Sequence, residues 1–229
     1  NVSGLSSGVA SIAAGARHSC SLDTAGAVKC WGWNLNSQLG NGRPSNNRIQ
    51  PVAVTALGSA AVNRVAAGDG STCAVTTTGA TKCWGWNESG QLGDGSNENR
   101  LNAVDAVGLT SGSTAIASGG AHTCALGSGG AARCWGSNSN GQLGNGSVVG
   151  QFAPTDVTGL SAGVQAIATG AKHSCAVTAG GAAQCWGQNA LGQLGDGTEL
   201  DRLTPTTALG LGSGVAAVAA GSWHSCALT

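Results

Sequence analysis

Short apolar runs of four to eight residues, bounded by glycine or proline, return along this chain at a nearly constant interval. Two of them are Val9-Ala10-Ser11-Ile12-Ala13-Ala14-Gly15 and Val215-Ala216-Ala217-Val218-Ala219-Ala220-Gly221. After each run comes a segment of the form His-Ser-Cys, a small turn, and a segment ending in Cys-Trp-Gly. A polar loop, Asn-x-x-Gly-Gln-Leu-Gly-Asn/Asp-Gly, then leads to a fourth short segment such as Pro51-Val52-Ala53-Val54. Segments this short, punctuated this way, read as strands. Four strands per round of about 50 residues is the arithmetic of a propeller blade.

The period is fixed by cysteine. Cys20, Cys73, Cys124, Cys175 and Cys226 are spaced 53, 51, 51 and 51 residues apart, and Cys-Trp-Gly follows the first four at Cys30, Cys83, Cys134 and Cys185. The expected fold is therefore all-β, a β-propeller-type array of four-stranded blades. It has about four and a half repeats of about 51 residues in one repeat domain. The rounds run over residues 9–61, 62–113, 114–163 and 164–214, with a half round at 215–229. Both ends of the chain carry the first two strands of a round, and Cys226 has no third strand for a partner. The expectation is an incomplete ring, as an excerpt of a longer array or with neighbouring copies covering the open edges.

Folding back at Thr24-Ala25-Gly26 sets Cys20 opposite Cys30 across an antiparallel pair, where Cβ atoms lie about 4.5–5.5 Å apart. A small adjustment closes a disulfide at that span. The same reasoning pairs Cys73 with Cys83, Cys124 with Cys134 and Cys175 with Cys185. Zinc and thiol-redox chemistry both favour C-x₂-C pairs, which this chain lacks. Buried free thiols packed as small apolar groups are the remaining alternative. Four bridges imply an oxidising home, secreted or at the cell surface.

Composition narrows the picture further. The chain has 229 residues, 40 of them glycine, with 9% charged residues and neither tyrosine nor methionine. Ten acidic and ten basic residues balance, which argues against a nucleic-acid groove. No run reaches the roughly 20 apolar residues of a membrane span.

With these residues laid out, Gly221-Ser222-Trp223-His224-Ser225-Cys226-Ala227-Leu228-Thr229 and Cys83-Trp84-Gly85-Trp86-Asn87-Glu88-Ser89-Gly90-Gln91-Leu92-Gly93-Asp94-Gly95 carry a resemblance. The chain resembles the regulator of chromosome condensation repeat family, in the cysteine-paired version typical of secreted bacterial proteins. The resemblance covers essentially the whole chain and implies a propeller. Members of that family include a nuclear guanine-nucleotide exchange factor and a bacterial inhibitor of β-lactamases. Fold alone does not carry function across, and no exchange-factor residue can be transferred onto this sequence.

Candidate chemistry divides into positions that recur and positions that do not. His18, His122, His173 and His224 share one repeat position, with Ser71 in round two. Neighbours on a strand face opposite ways, so each histidine and its adjacent serine cannot act as a base–nucleophile pair. The expected role is a hydrogen bond to the backbone between blades. Trp31, Trp84, Trp135 and Trp186 recur as packing residues. Trp33 and Trp86 stand where other rounds have Ser137 and Gln188, and Trp223 stands where others have Arg17, Gly70, Ala121 and Lys172. Exposed tryptophan beside arginine is the composition of a binding hot spot, so Trp33, Trp86, Trp223, Arg17 and Lys172 are the candidate binding residues.

Acidic positions in the loops at Asp94 and Asp196 are matched by Asn41 and Asn145 elsewhere, which leaves no full calcium set and reads as turn chemistry. Asn1, Asn87 and Asn145 fit the N-glycosylation triplet. No metal, no cofactor and no catalytic cluster is expected. The leading functional expectation is a non-catalytic extracellular or cell-surface scaffold, self-assembling or binding a protein partner. A protein-binding inhibitor or adhesin is the alternative, with guanine-nucleotide exchange ranked third.

Overall fold

The computed structural model describes residues 2–44 and 46–229. Its first sheet contains β1 (Val9–Ala14), β2 (His18–Asp23), β3 (Val28–Gly32) and β4 (Arg48–Ala53). The second holds β5 (Val62–Ala67), β6 (Ser71–Thr76), β7 (Thr81–Gly85) and β8 (Arg100–Asp105). The third holds β9 (Ser113–Ser118), β10 (His122–Gly127), β11 (Ala132–Gly136) and β12 (Gln151–Asp156). The fourth holds β13 (Val164–Thr169), β14 (His173–Thr178), β15 (Ala183–Gly187) and β16 (Arg202–Thr207), and β17 (Ala217–Ala220) with β18 (Ser225–Leu228) forms a two-stranded sheet. Each four-stranded sheet is a simple antiparallel meander in chain order. The all-β, propeller-type fold expected from the repeat is the fold observed, and among the described residues no sheet closes into a barrel.

Register explains the cysteines. Cys20 lies directly opposite Cys30, and the equivalent pairs oppose each other in the next three sheets. Their Cα atoms are 4.1 Å apart in all four cases, and each pair is disulfide-bonded. Cys226 is exposed and unbridged. A bridge across so short a loop stabilises by only about 2–3 kcal/mol in chain-entropy terms, so the bridges pin hairpins while packing between sheets does the larger part.

That packing is built from adjacent blades. The Cys20–Cys30 bridge and Leu39 of the first sheet share a core with Trp84 of the second. Cys73, Cys83 and Leu92 do the same with Trp135, and Cys124, Cys134 and Leu143 with Trp186. All three indoles are 0% exposed. A tryptophan buries roughly 150–250 Å², which at about 25 cal/mol per Å² is roughly 4–6 kcal/mol before entropy is charged. Burial of the next blade's indole therefore outweighs the bridge inside each blade.

The first strands of the sheets are innermost. Their following turns, around Gly15, Gly68, Gly119, Gly170 and Gly221, converge on an axial cavity of about 190 Å³. These turns approach so closely that a Cβ on Gly68 would sit 2.5 Å from the carbonyl oxygen of Gly119, which is why this position is glycine in every round. The loops after the first and third strands share one face of the array. The turns after the second and the connections after the fourth share the other.

One loop departs from the repeat at a position of positive φ. Gly90, Gly141 and Gly192 adopt φ of 79°, 79° and 70°, and Ser37 holds the equivalent place at 66°. A side chain in this left-handed region costs on the order of 1–2 kcal/mol. Ser37→Gly is therefore expected to raise stability by about 1 kcal/mol, read as a higher denaturant midpoint at unchanged slope. An unchanged or lower midpoint would show that the hydroxyl repays the strain.

Candidate functional site

The recurring polar residues build a latch between blades. Gln38 offers its main-chain oxygen to two donors of the next sheet, the Trp84 indole Nε1–H at 3.0 Å and the Thr72 hydroxyl at 2.7 Å. Gln91 does so for Trp135 and Thr123, and Gln142 for Trp186 and Ser174, all at 2.9 Å. Gln193 accepts from Ser225 at 2.8 Å. Because each hydroxyl spends its hydrogen on this oxygen, it can only accept from the histidine behind it. His18 Nε2–H thus donates to Thr72, His122 to Ser174 and His173 to Ser225, at 2.8, 2.9 and 2.9 Å. The histidines join blades as expected, but through a hydroxyl rather than directly to the backbone. Each serine meets the histidine of the preceding blade, and burial at 0% for Ser174 keeps it from any substrate.

This wiring fixes the charge of the histidines. Burial lowers His18 from an ordinary 6.5 to about 4 and His173 to about 4. Burial first, then the charge of His173, takes His122 to about 3. The Nδ1 atoms of all three are buried without a partner among the described residues. A second proton would have nowhere to go.

A buried asparagine organises each long loop. Asn87 Oδ1 accepts from Leu92 N–H at 2.9 Å, while its Nδ2 donates to Asp94 Oδ1 at 3.2 Å and Glu98 O at 3.0 Å. Asn34, Asn138 and Asn189 repeat the pattern. Asn87 is 0% exposed, so the glycosylation expectation at Asn87 is corrected: its amide nitrogen is spent inside the folded loop. Asn145 is half-buried and accepts from Asn138 Nδ2 at 3.2 Å. Asn1 lies outside the described residues.

The loop acids are equally occupied. Asp94 and Asp196 each receive an arginine Nε–H at 2.7 Å, from Arg100 and Arg202. For Asp196, burial pushes the carboxyl up, but hydrogen bonds from Thr198, Arg202 and Asn189 outweigh it and hold it at about 2. Among the described residues no group of three or more His, Cys, Asp or Glu side chains is placed to hold a metal ion.

The non-recurring residues gather elsewhere on the loop face. Trp33 N–H donates to Arg17 O, and Trp86 N–H to Gly70 O, both at 2.9 Å. The Arg17 guanidinium lies over the Trp33 ring, 5.1 Å from its centroid. Arg17, Trp33, Asn36, Asp69, Gly70 and Trp86 line a cleft of about 280 Å³ between the first two blades. Both indoles are half-buried, and Arg17 and Asp69 are exposed. Burial raises the Asp69 carboxyl above its ordinary 3.8, and the nearby Arg17 charge only partly offsets this.

The structure thus brings Arg17, Trp33 and Trp86 together and leaves Lys172 and Trp223 apart from them. Lys172 is exposed, and its carbonyl accepts from Gln188 N–H at 2.9 Å. Trp223, 50% exposed, lines a separate cavity of about 230 Å³ with Leu191, Leu194 and Val218. Sequence reasoning missed Asp69 and Asn36. Asp69 had a signal, since other rounds place Ala16, Gly120, Ala171 and Ser222 there.

Comparison with known proteins agrees with this architecture. A family model described as the Regulator of chromosome condensation (RCC1) repeat matches residues 25–75, 83–126, 130–177 and 181–228. A second of the same description matches 9–38, 62–91, 114–142 and 164–193. The Ultraviolet-B receptor UVR8 of Arabidopsis thaliana is 34% identical over 197 residues, which is 85% of this chain and 44% of the receptor. The crystal structure of human WBSCR16 superposes with a TM-score of 0.86 at 27% identity, over 96% of this chain and 57% of that one. Prp20p from Saccharomyces cerevisiae, studied for its binding to Gsp1p and histones, does so at 0.82 and 23%, over 96% and 55%. The chain spans about half the length of each of these proteins.

Neutral, buried histidines make the fold sensitive to acid. The unfolded chain binds protons below about pH 6.5, whereas the folded chain does so only near pH 3–4. Stability is therefore full above pH 6.5 and falls as pH drops toward 4, by up to about 1.4 kcal/mol per unit for each fully buried histidine. Urea midpoints measured from pH 7.5 to 4.5 should fall in this window, and His122→Gln should flatten the slope. A midpoint independent of pH would contradict the assignment.

Proposed function

The chain belongs to the regulator of chromosome condensation (RCC1) repeat family, and from that premise we propose that it is a non-catalytic protein-binding module working outside the cytoplasm. Repeats of this family act largely by binding proteins rather than by catalysis, and Prp20p, with its binding to Gsp1p and histones, is one instance. The observation that carries the reading is the cleft at Trp33 and Trp86. The recurring histidines, hydroxyls and indoles of successive blades are engaged between blades, whereas this departure from the repeat leaves two indoles, a guanidinium and a carboxylate lining an open cleft. Rigid aromatic groups beside arginine are the composition of an interface hot spot.

Four disulfides support an exported address, because such bridges form and persist in oxidising compartments. An extracellular or cell-surface scaffold fits these features, and so does an adhesin or inhibitor. Both work through the same loop face. Guanine-nucleotide exchange is no part of the proposal, since no exchange-factor residue can be transferred onto this sequence.

A photo-crosslinking amino acid placed at Asn36 tests the reading in the protein's own host. It should yield a covalent adduct with a second protein outside the cytoplasm. The same group at Ser59, on the opposite face, should not. No adduct from position 36, or equal adducts from both positions, would overturn the assignment of this face.

A further inference from the structure

The first two blades present the same backbone and different side chains, and the difference defines a vacancy. In the first blade, Arg17 receives the main-chain N–H of Trp33 and lays its own guanidinium over that indole. In the second, Gly70 receives the main-chain N–H of Trp86 with the same 2.9 Å bond but has no side chain to lay there. Among the described residues no cation covers the Trp86 ring. Beside it stands Asp69, a carboxylate with no ion pair and no side-chain hydrogen bond among the described residues.

We propose that the cleft receives one arginine side chain of a protein partner, its guanidinium over Trp86 and paired with the Asp69 carboxylate. This deepens the reading of the loop face as a protein-binding surface and rests on it.

Three features select this occupant. The ring face of tryptophan attracts cations, and guanidinium is the weakly hydrated, planar cation that stacks on it best. The protein supplies its own demonstration one blade earlier, where Arg17 occupies the corresponding position on Trp33 at 5.1 Å. The third feature is charge. Asp69 is partly desolvated and only partly compensated by Arg17, so a second guanidinium brings a bidentate hydrogen-bonding partner to a carboxylate that lacks one. An anionic ligand would be drawn to Arg17, which already lies over Trp33, and repelled by Asp69, the carboxylate without an ion pair among the described residues. A neutral ligand would leave the carboxylate with only the partial compensation of Arg17. Asn36, whose Nδ2 lies 3.2 Å from where a Cβ on Gly70 would sit, lines the cleft from the first blade.

The internal template also supplies the decisive variant. Gly70 has no positive φ, and a Cβ there would approach Trp86 Cβ at 3.1 Å and the Asn36 amide at 3.2 Å, the latter free to rotate. Gly70→Arg should therefore reproduce the first blade in the second and fill the cleft from within.

The test follows the two indole Nε1–H resonances of Trp33 and Trp86 in the full chain by nuclear magnetic resonance. The probe is the peptide acetyl-Gly-Arg-Gly-amide, titrated beside its citrulline counterpart, which keeps the shape and loses the charge. The arginine peptide should shift Trp86 saturably, and the citrulline peptide should bind at least about tenfold more weakly. Asp69→Asn should weaken the arginine peptide by a similar factor, and Gly70→Arg should abolish the saturable shift with the other amide resonances in place. Equal binding of the two peptides to the unaltered chain would overturn the proposal, as would the absence of any saturable shift. Since these arms need no variant, misfolding of a substituted chain does not decide the outcome. Crosslinking from Asn36 without arginine-peptide binding would retain the protein-binding face and remove the arginine. Failure of both would remove the reading beneath it.

Discussion

The main-chain oxygen of one glutamine per blade, receiving a hydroxyl and, in the first three blades, an indole N–H from the next blade, is the interaction on which this architecture depends. A four-stranded meander has two apolar faces and cannot satisfy either alone. Stacking buries them, but burial is non-directional, and a stack of flat sheets could slide. The latch removes that freedom. Trp135 reaches its full burial only where its Nε1–H also finds Gln91, and Thr123 meets the same oxygen from the neighbouring strand. Each hydrogen bond adds only about 1 kcal/mol net. Leaving the buried indole unpaired would cost more than that, so the bond specifies the angle between blades as the apolar area supplies the driving force.

Most of the fold could be read from the sequence because its determinants act within one round. Strand number, the turn at Thr24-Ala25-Gly26 and the facing cysteines all follow from spacing and period. The latch could not be read so easily. It uses a main-chain atom of Gln38, Gln91 and Gln142, to which residue type gives no clue. The recurrence of a hydroxyl at Ser19, Thr72, Thr123, Ser174 and Ser225 was its one visible trace. For the same reason the histidines could be placed between blades but not given their partner. Asn87 shows the opposite failure: a triplet pattern marks an acceptor, yet triplets carry no information about burial, and this side chain holds its loop together from inside.

Repetition also separates structure from function here. Positions that agree among the rounds are consumed by the latch, the bridges and the loop asparagines. Positions that disagree are free to face outward, and Arg17, Trp33, Asp69, Gly70 and Trp86 disagree together in one place. The repeat, set against its own copies, thus marks the face proposed for binding without any homologue. Lys172 and Trp223 show the limit of that comparison, because a departure from the repeat identifies an exposed position and not the company it keeps.

Hydrogen exchange at the indole nitrogens measures the latch most directly. Nε1–H of Trp84, Trp135 and Trp186 should exchange at least about a hundredfold more slowly than that of Trp33 and Trp86, since the first three open only when blades separate. Exchange at comparable rates in all five would mean that the glutamine oxygens do not hold the blades, and the account would fail.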